Sequence, residues 1–186
     1  MPETAPRSQL RRLLLPAIAV SAVVLVAVCC AAFALGQRGV ENVNTLFGGS
    51  DGLQVVLRSE KVEAYRVAPL HKMPKGEDLK TIGGAGMLSG PVTVDETSRR
   101  DLAEILRNPG TYDWDSAKGC KFDPGVVVRF ASRSTTIDVV FCFHCEELQI
   151  WRDGARVGGE DFDAASPSLA AIMKRIFPED AEIQKL

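Results

Sequence analysis

Residues 126–154 read VVVRFASRSTTIDVVFCFHCEELQIWRDG, and this stretch decides the fold. Side chains alternate across an extended chain. Val126, Val128 and Phe130 therefore share one face of a first strand, Val126–Phe130. Ile137, Val139, Phe141 and Phe143 share one face of a second, Thr136–Phe143. Ser132 to Thr135 form the polar turn between them. Arg129 and Asp138 fall on the faces opposite those apolar sets and can pair across the hairpin, for about 0–1 kcal/mol if exposed. A third strand, Leu148–Arg152, meets Asp153-Gly154, a strong tight-turn signal. A return through Arg156-Val157 completes a meander.

Working outward, Val62–Val67 alternates Val62, Ala64 and Arg66 against Glu63, Tyr65 and Val67, and reads as a strand. Leu53–Arg58 is another short run with β-branched residues. Residues 69–80 are polar, contain Pro69 and Pro74, and read as a loop. Gly83-Gly84-Ala85-Gly86 opens a turn-rich stretch that feeds a short strand at Pro91–Val94. It lacks the Lys-Ser/Thr of a P-loop and the spacing of a dinucleotide fingerprint, which argues against nucleotide binding. Asp95-Glu96-Thr97-Ser98 opens a helix whose apolar face is Leu102, Ile105 and Leu106, with Asp95 or Thr97 as cap. Asn108-Pro109-Gly110 ends it. Tyr112 and Trp114 follow as core plugs. Ser166-Pro167 starts a last helix, serine as N-cap and proline at the first helical position, with a stripe of Leu169, Ile172, Met173 and Ile176. The expected fold is α+β, an antiparallel meander sheet with about two helices on one face. One N-terminal transmembrane helix precedes it.

That helix comes from the other informative stretch. The 186-residue chain is 46% apolar and 25% charged with net charge −2, which excludes a strongly basic nucleic-acid binder. Its apolar residues are unevenly spread. Leu13 to Gly36 contains no charge, and 24 helical residues reach roughly 36 Å, enough to cross a bilayer core. Arg7, Arg11 and Arg12 lie before it and only Arg38 lies close after it. The positive-inside rule then makes residues 1–12 a cytoplasmic tail and places the remainder outside. Residues 37–50 read as a linker, and 51–186 as an extracytoplasmic domain. A rival reading has a signal peptide cleaved at Ala32-Phe33-Ala34, releasing a secreted or periplasmic domain. Lipidation at Cys29 or Cys30 is disfavoured, because leucine is missing at −3 and a small residue at −1 does not accompany it. The tail carries net +2, so the rest carries −4 and has no electrostatic reason to bind nucleic acid or anionic lipid. The expected partners are the bilayer, through residues 13–36, and a protein of the cell envelope.

The chemistry of the domain rests on Cys120, Cys142 and Cys145. The last two form Cys142-Phe143-His144-Cys145. In a straight strand residues three apart face opposite ways, so their sulfurs meet only if the chain turns there. One reading is a disulfide from Cys120 to Cys142 or Cys145, closing a loop of about 22–26 residues worth about 3–3.5 kcal/mol. It leaves one odd thiol. A second is a C-x-x-C redox pair, against which stand the missing helix after Cys145 and the charges of Glu146-Glu147. A third is tetrahedral zinc on Cys120, Cys142 and Cys145 with His71 or His144, although His144 lies inside the turn. A fourth is inert, buried thiols. His71 reads as solvated. Glu146-Glu147 and Glu160-Asp161 read as solvated faces. No catalytic set assembles from two histidines, so we read the domain as a non-enzymatic interaction module with a cysteine staple, and expect no cofactor.

Lys61-Val62-Glu63-Ala64-Tyr65-Arg66, Cys120-Lys121-Phe122-Asp123-Pro124-Gly125 with Phe130, and Asp138 through Cys145 also form a combined pattern. With the closing Phe177-Pro178-Glu179-Asp180-Ala181-Glu182-Ile183, it resembles a group of uncharacterised bacterial membrane-anchored proteins. These carry a C-x-x-x-P strand and a C-F-x-C strand end. The resemblance covers roughly Lys61 to Leu186 and implies no activity. It implies that the three cysteines belong to one site or one staple.

Overall fold

Seven antiparallel strands form one curled sheet in the order β2-β3-β1-β4-β5-β6-β7. They are β1 (Lys61–Ala68), β2 (Thr81–Ile82), β3 (Ala85–Thr93), β4 (Val126–Ala131), β5 (Thr136–Cys142), β6 (Glu147–Arg152) and β7 (Ala155–Asp161). This is a computed structural model, and it describes residues 28, 29, 31, 34, 36–73, 79–116 and 118–186. The chain divides into two units, Met1–Gly39 and Val40–Leu186. In the first, the described residues are helical. Most of the apolar span 13–36 lies outside the described residues, and among those described no helix is long and apolar enough to cross a membrane.

The second unit holds the sheet and four helices. Helix α1 covers residues 40–46. The others are α2 (Ser50–Arg58), α3 (Glu96–Arg107) and α4 (Ser166–Ile176). All four feed one core. Val43 and Leu46 of α1, Phe47, Leu53 and Val56 of α2, Leu102 and Leu106 of α3, and Leu169, Ile172 and Met173 of α4 cluster there. They meet Val62, Val126, Val128, Phe130, Ile137, Val139, Phe141, Leu148 and Ile150 from the sheet. Within residues 37–50, residues 40–46 form α1, and Val43 and Phe47 are 1% and 0% exposed. The run Leu53–Arg58, left unassigned by its β-branched residues, lies in helix α2, because Leu53 and Val56 place their apolar surface at helical spacing. The helix count is accordingly four among the described residues, not about two.

The strand meander stands as expected. β4 pairs with β5 in register Val128↔Val139, and β5 with β6 in register Val139↔Ile150. β1 joins β4 on its other edge, with Val62 opposite Phe130. The first helix of the sequence reading is α3, and its cap is Asp95, whose carboxylate accepts the N–H groups of Thr97 and Ser98 at 2.9 and 3.0 Å. The orphan carbonyls at its other end are met by side chains. Thr111 donates to Ile105 O, and Tyr112 to Leu106 O, both at 2.6 Å. At α4 the cap differs from expectation. Ser166 is already helical (φ −51°, ψ −48°) and Ala165 precedes the helix without a capping side chain.

A smaller cluster occupies the second face of the sheet. Tyr65, Val67, Ile82, Ala85, Val127 and Val140 form it, with Met87, Phe122 and Trp151 packed on. The β2–β3 hairpin reaches it through Gly83 and Gly84, whose φ values of 55° and 72° suit a tight left-handed turn. Both residues sit against the sheet, Gly83 on Val140 and Gly84 on the Trp151 ring. On this face Arg129 and Asp138 are register partners joined by two hydrogen bonds of 2.6 and 2.7 Å. Asp138 is 2% exposed, so the pair lies in a much drier setting than the exposed pair considered from sequence.

Candidate functional site at the β5–β6 turn

The chain reverses between β5 and β6 over residues 143–146, so Cys142 closes one strand while Cys145 sits in the turn. Glu146 takes a positive φ of 54°, which completes the reversal. Phe143 anchors the turn by stacking on Phe141 at 5.8 Å and meeting Phe162 edge-on at 5.5 Å. Phe162 in turn donates its N–H to Glu146 O at 2.7 Å. The turn is therefore fixed from both sides by apolar contact and backbone bonding.

The loop between α3 and β4 runs along this end of the sheet. Gly125 N donates to Phe141 O at 3.0 Å and Asp113 N to Asp161 O at 3.1 Å. Cys120, in the middle of the loop, forms a disulfide with Cys145 across 25 residues. This is one of the two pairings left open by the sequence. Cys142 is the remaining thiol, 0% exposed. Its Sγ accepts the N–H groups of Asp123 and of Cys145, each at 3.3 Å. The three sulfur atoms thus belong to one cluster, two bonded and the third seated against the backbone of the bonded residue.

Of the other residues raised from sequence, His71 and His144 are exposed. Both line a pocket of about 270 Å³ together with Lys72, Cys120, Lys121, Phe122 and Asp123. Lys72 forms an ion pair with Asp123 there. The pocket brings Cys120 and the two histidines together, while Cys142 is turned into the protein. Among the described residues no group of three His, Cys, Asp or Glu side chains is placed to hold a metal ion. Two of the three sulfurs considered as zinc ligands are bonded to each other.

Of the carboxylate pairs expected on solvated faces, Asp161 is buried, while Glu146, Glu147 and Glu160 are partly exposed. Glu147 lies opposite Asp161 on β7, and Leu148 opposite Glu160. Asp161 is buried and accepts a hydrogen bond from Ser116 Oγ at 2.8 Å. Lys118 serves this cluster. It donates to Asp163 at 2.5 Å and to Cys145 O at 2.8 Å, and lies 4.0 Å from Asp161 and from Glu146. Burial lowers the Lys118 pKa, but Asp163, Asp161 and Glu146 outweigh it and hold it above the ordinary lysine value. The Lys118 hydrogen bond holds Asp163 below the usual carboxylate range. Burial, followed by the neighbouring Asp161 charge, pushes Glu147 up. Burial and the charges of Asp161, Asp113 and Glu147 push Glu160 up in the same way. Lys118 was not foreseen; its only sequence signal is its place two residues before Cys120.

Fold and site together define an α+β domain with a three-cysteine cluster at one end of its sheet. No protein-family model matches the chain, and no curated protein or solved structure is significantly similar to it.

Proposed function

We propose that the chain is a membrane-anchored extracytoplasmic interaction module, non-enzymatic, whose partner is a protein of the cell envelope. The Cys120–Cys145 bond carries this reading. Disulfides form and persist in oxidising compartments, and this one ties residues 25 apart in the sequence. The uncharged run 13–36 and the arginines before it support an anchor with its N-terminus in the cytoplasm.

A staple here has a plain structural use. It fixes the long α3–β4 loop to the β5–β6 turn, so this end of the sheet presents one surface rather than an ensemble. The test is to express the full chain in a bacterium, separate membrane from soluble fractions, and treat intact cells with a membrane-impermeant protease. The reading expects the chain in the membrane, the region after residue 40 cut from outside, and a non-reducing peptide map that links Cys120 to Cys145. A chain resistant in intact cells and cut only after lysis would overturn the topology. Fully reduced cysteines in that map would overturn the staple.

A further inference from the structure

The buried thiol of Cys142 has no part in the staple, yet it lies against it. Its sulfur accepts the Cys145 N–H at 3.3 Å. The sulfur of Cys145 is only three covalent bonds from that nitrogen. Cys142 is the last residue of β5 and Cys145 the third residue of the reversal 143–146, so the two are three apart where the chain turns. Residues three apart across a β-turn keep their Cα atoms within about 7 Å, and a disulfide needs about 4.4–6.8 Å. That spacing, with the Cys142 sulfur already against the Cys145 N–H, is compatible with a second bond.

We propose that Cys142–Cys145 and Cys120–Cys145 are alternative disulfides of one protein, exchanged by the Cys142 thiolate, and that the exchange delivers Cys120 as a reactive thiol to the basic pocket. The step balances internally. Cys142 Sγ loses the proton that Cys120 Sγ later regains, and its thiolate attacks Cys145 Sγ. The Cys142–Cys145 bond forms as the Cys145–Cys120 bond breaks. The electron pair leaves on Cys120 Sγ, which then takes up a proton. No oxidant or reductant is consumed, because one disulfide replaces another.

The placement of the leaving group favours this direction of traffic. Cys142 and Cys145 are buried, whereas Cys120 is half-buried and lines the pocket with His71, Lys72, Lys121 and His144. The ammonium groups of Lys72 and Lys121 favour a thiolate there, and a better leaving thiolate departs faster. Among the described residues, Asp123, paired with Lys72, is the one carboxylate lining that pocket. The ligand class such a site takes is a small disulfide bearing negative charge. The Cys120 thiolate attacks it, a mixed disulfide forms on Cys120, and the second half leaves as a thiolate. This inference rests on the staple reading above and extends it.

The experiment uses the purified full chain, unreduced, with oxidised glutathione as the anionic disulfide and cystamine as its cationic counterpart. Peptide mapping locates every adduct and every disulfide. The expected result is a glutathione adduct on Cys120 accompanied by a Cys142–Cys145 link, formed faster than the cystamine adduct. In Cys142→Ser the Cys120–Cys145 bond persists and the adduct on Cys120 is lost. Adduct formation on Cys120 undiminished in Cys142→Ser would overturn the proposal. So would a wild-type map in which Cys120–Cys145 never gives way to Cys142–Cys145, and this second criterion decides alone if the variant does not fold. Equal rates for the two reagents would overturn the anionic ligand class. A map with no Cys120–Cys145 bond at any stage would sink the staple itself, an outcome distinct from a bond that is present and does not exchange.

Discussion

At the scale of single residues, the most consequential charge pair is Arg129–Asp138. The Asp138 carboxylate is almost fully buried and takes both its partners from one guanidinium. Removing Arg129 leaves that carboxylate without its cation, so Arg129→Ala is expected to lower unfolding stability by about 3 kcal/mol, read from the denaturant midpoint. Replacing both residues by apolar ones, Arg129→Leu with Asp138→Val, is expected to recover most of the loss, because no buried charge then remains. Glu160 makes stability depend on pH. Its raised pKa means that the folded protein holds the proton more tightly than the unfolded chain. Stability attached to this group is therefore gained as pH falls through the raised value, and the penalty is complete above it. Glu160→Gln removes the penalty and retains an acceptor for the Asp161 N–H, bonded at 3.1 Å. The variant should melt above the parent at pH 7, with the difference closing as pH falls to the ordinary glutamate value of 4.5. A difference that widened toward acid would contradict this.

At the scale of elements, the β2–β3 hairpin depends on its two glycines. A Cβ at Gly83 would overlap Val140, and one at Gly84 would overlap the Trp151 ring, in a backbone region that L-residues disfavour. Gly84→Ala is expected to cost about 3 kcal/mol, combining the left-handed penalty with overpacking. The hairpin would lift from the sheet, and tryptophan emission should shift to longer wavelength as Trp151 meets water. Here the readability of the sequence can be judged. The strands β4, β5 and β6 were legible because Val126 to Arg152 alternates cleanly and its turns carry their own signals. Helices α3 and α4 were legible from apolar spacing and flanking prolines. Helix α2 was not, because nine residues with Val55 and Val56 at their centre fit either period until a partner surface decides between them. Residues 40–46 were missed for a related reason. Polar Asn42 and Asn44 flank Val43, and only the core that receives Val43 and Leu46 makes this short segment worth ordering.

At the scale of the whole domain, cross-links between distant segments close the fold. Arg66 on β1 reaches Asp180 at 2.6 Å and Glu182 at 2.7 Å, which holds the C-terminal segment against the sheet. The Cys120–Cys145 bond holds the α3–β4 loop at the other cross-link. Its closed loop of 25 residues corresponds to about 3.5 kcal/mol in the chain-entropy model. Unreduced Cys120→Ser is expected to lose about that much stability relative to the parent, measured by chemical denaturation of the unreduced proteins. A variant as stable as the parent would mean that the loop is already ordered without the bond.

What the sequence determined by itself was local. Alternation assigned the meander, capping and spacing assigned two helices, and three cysteines in one domain marked where the chemistry lies. Those signals survive without a structure because each acts over a few residues along the chain. The tertiary structure decided which cysteines join, which thiol is buried beside the bond, and that Cys120 shares a pocket with His71 and His144. It also decided that Asp161 is buried, opposite Glu147 and 4.0 Å from Lys118. The reason is physical. Those relations depend on strand register and on the path of the α3–β4 loop, and both are set by which surfaces pack together, not by spacing along the chain.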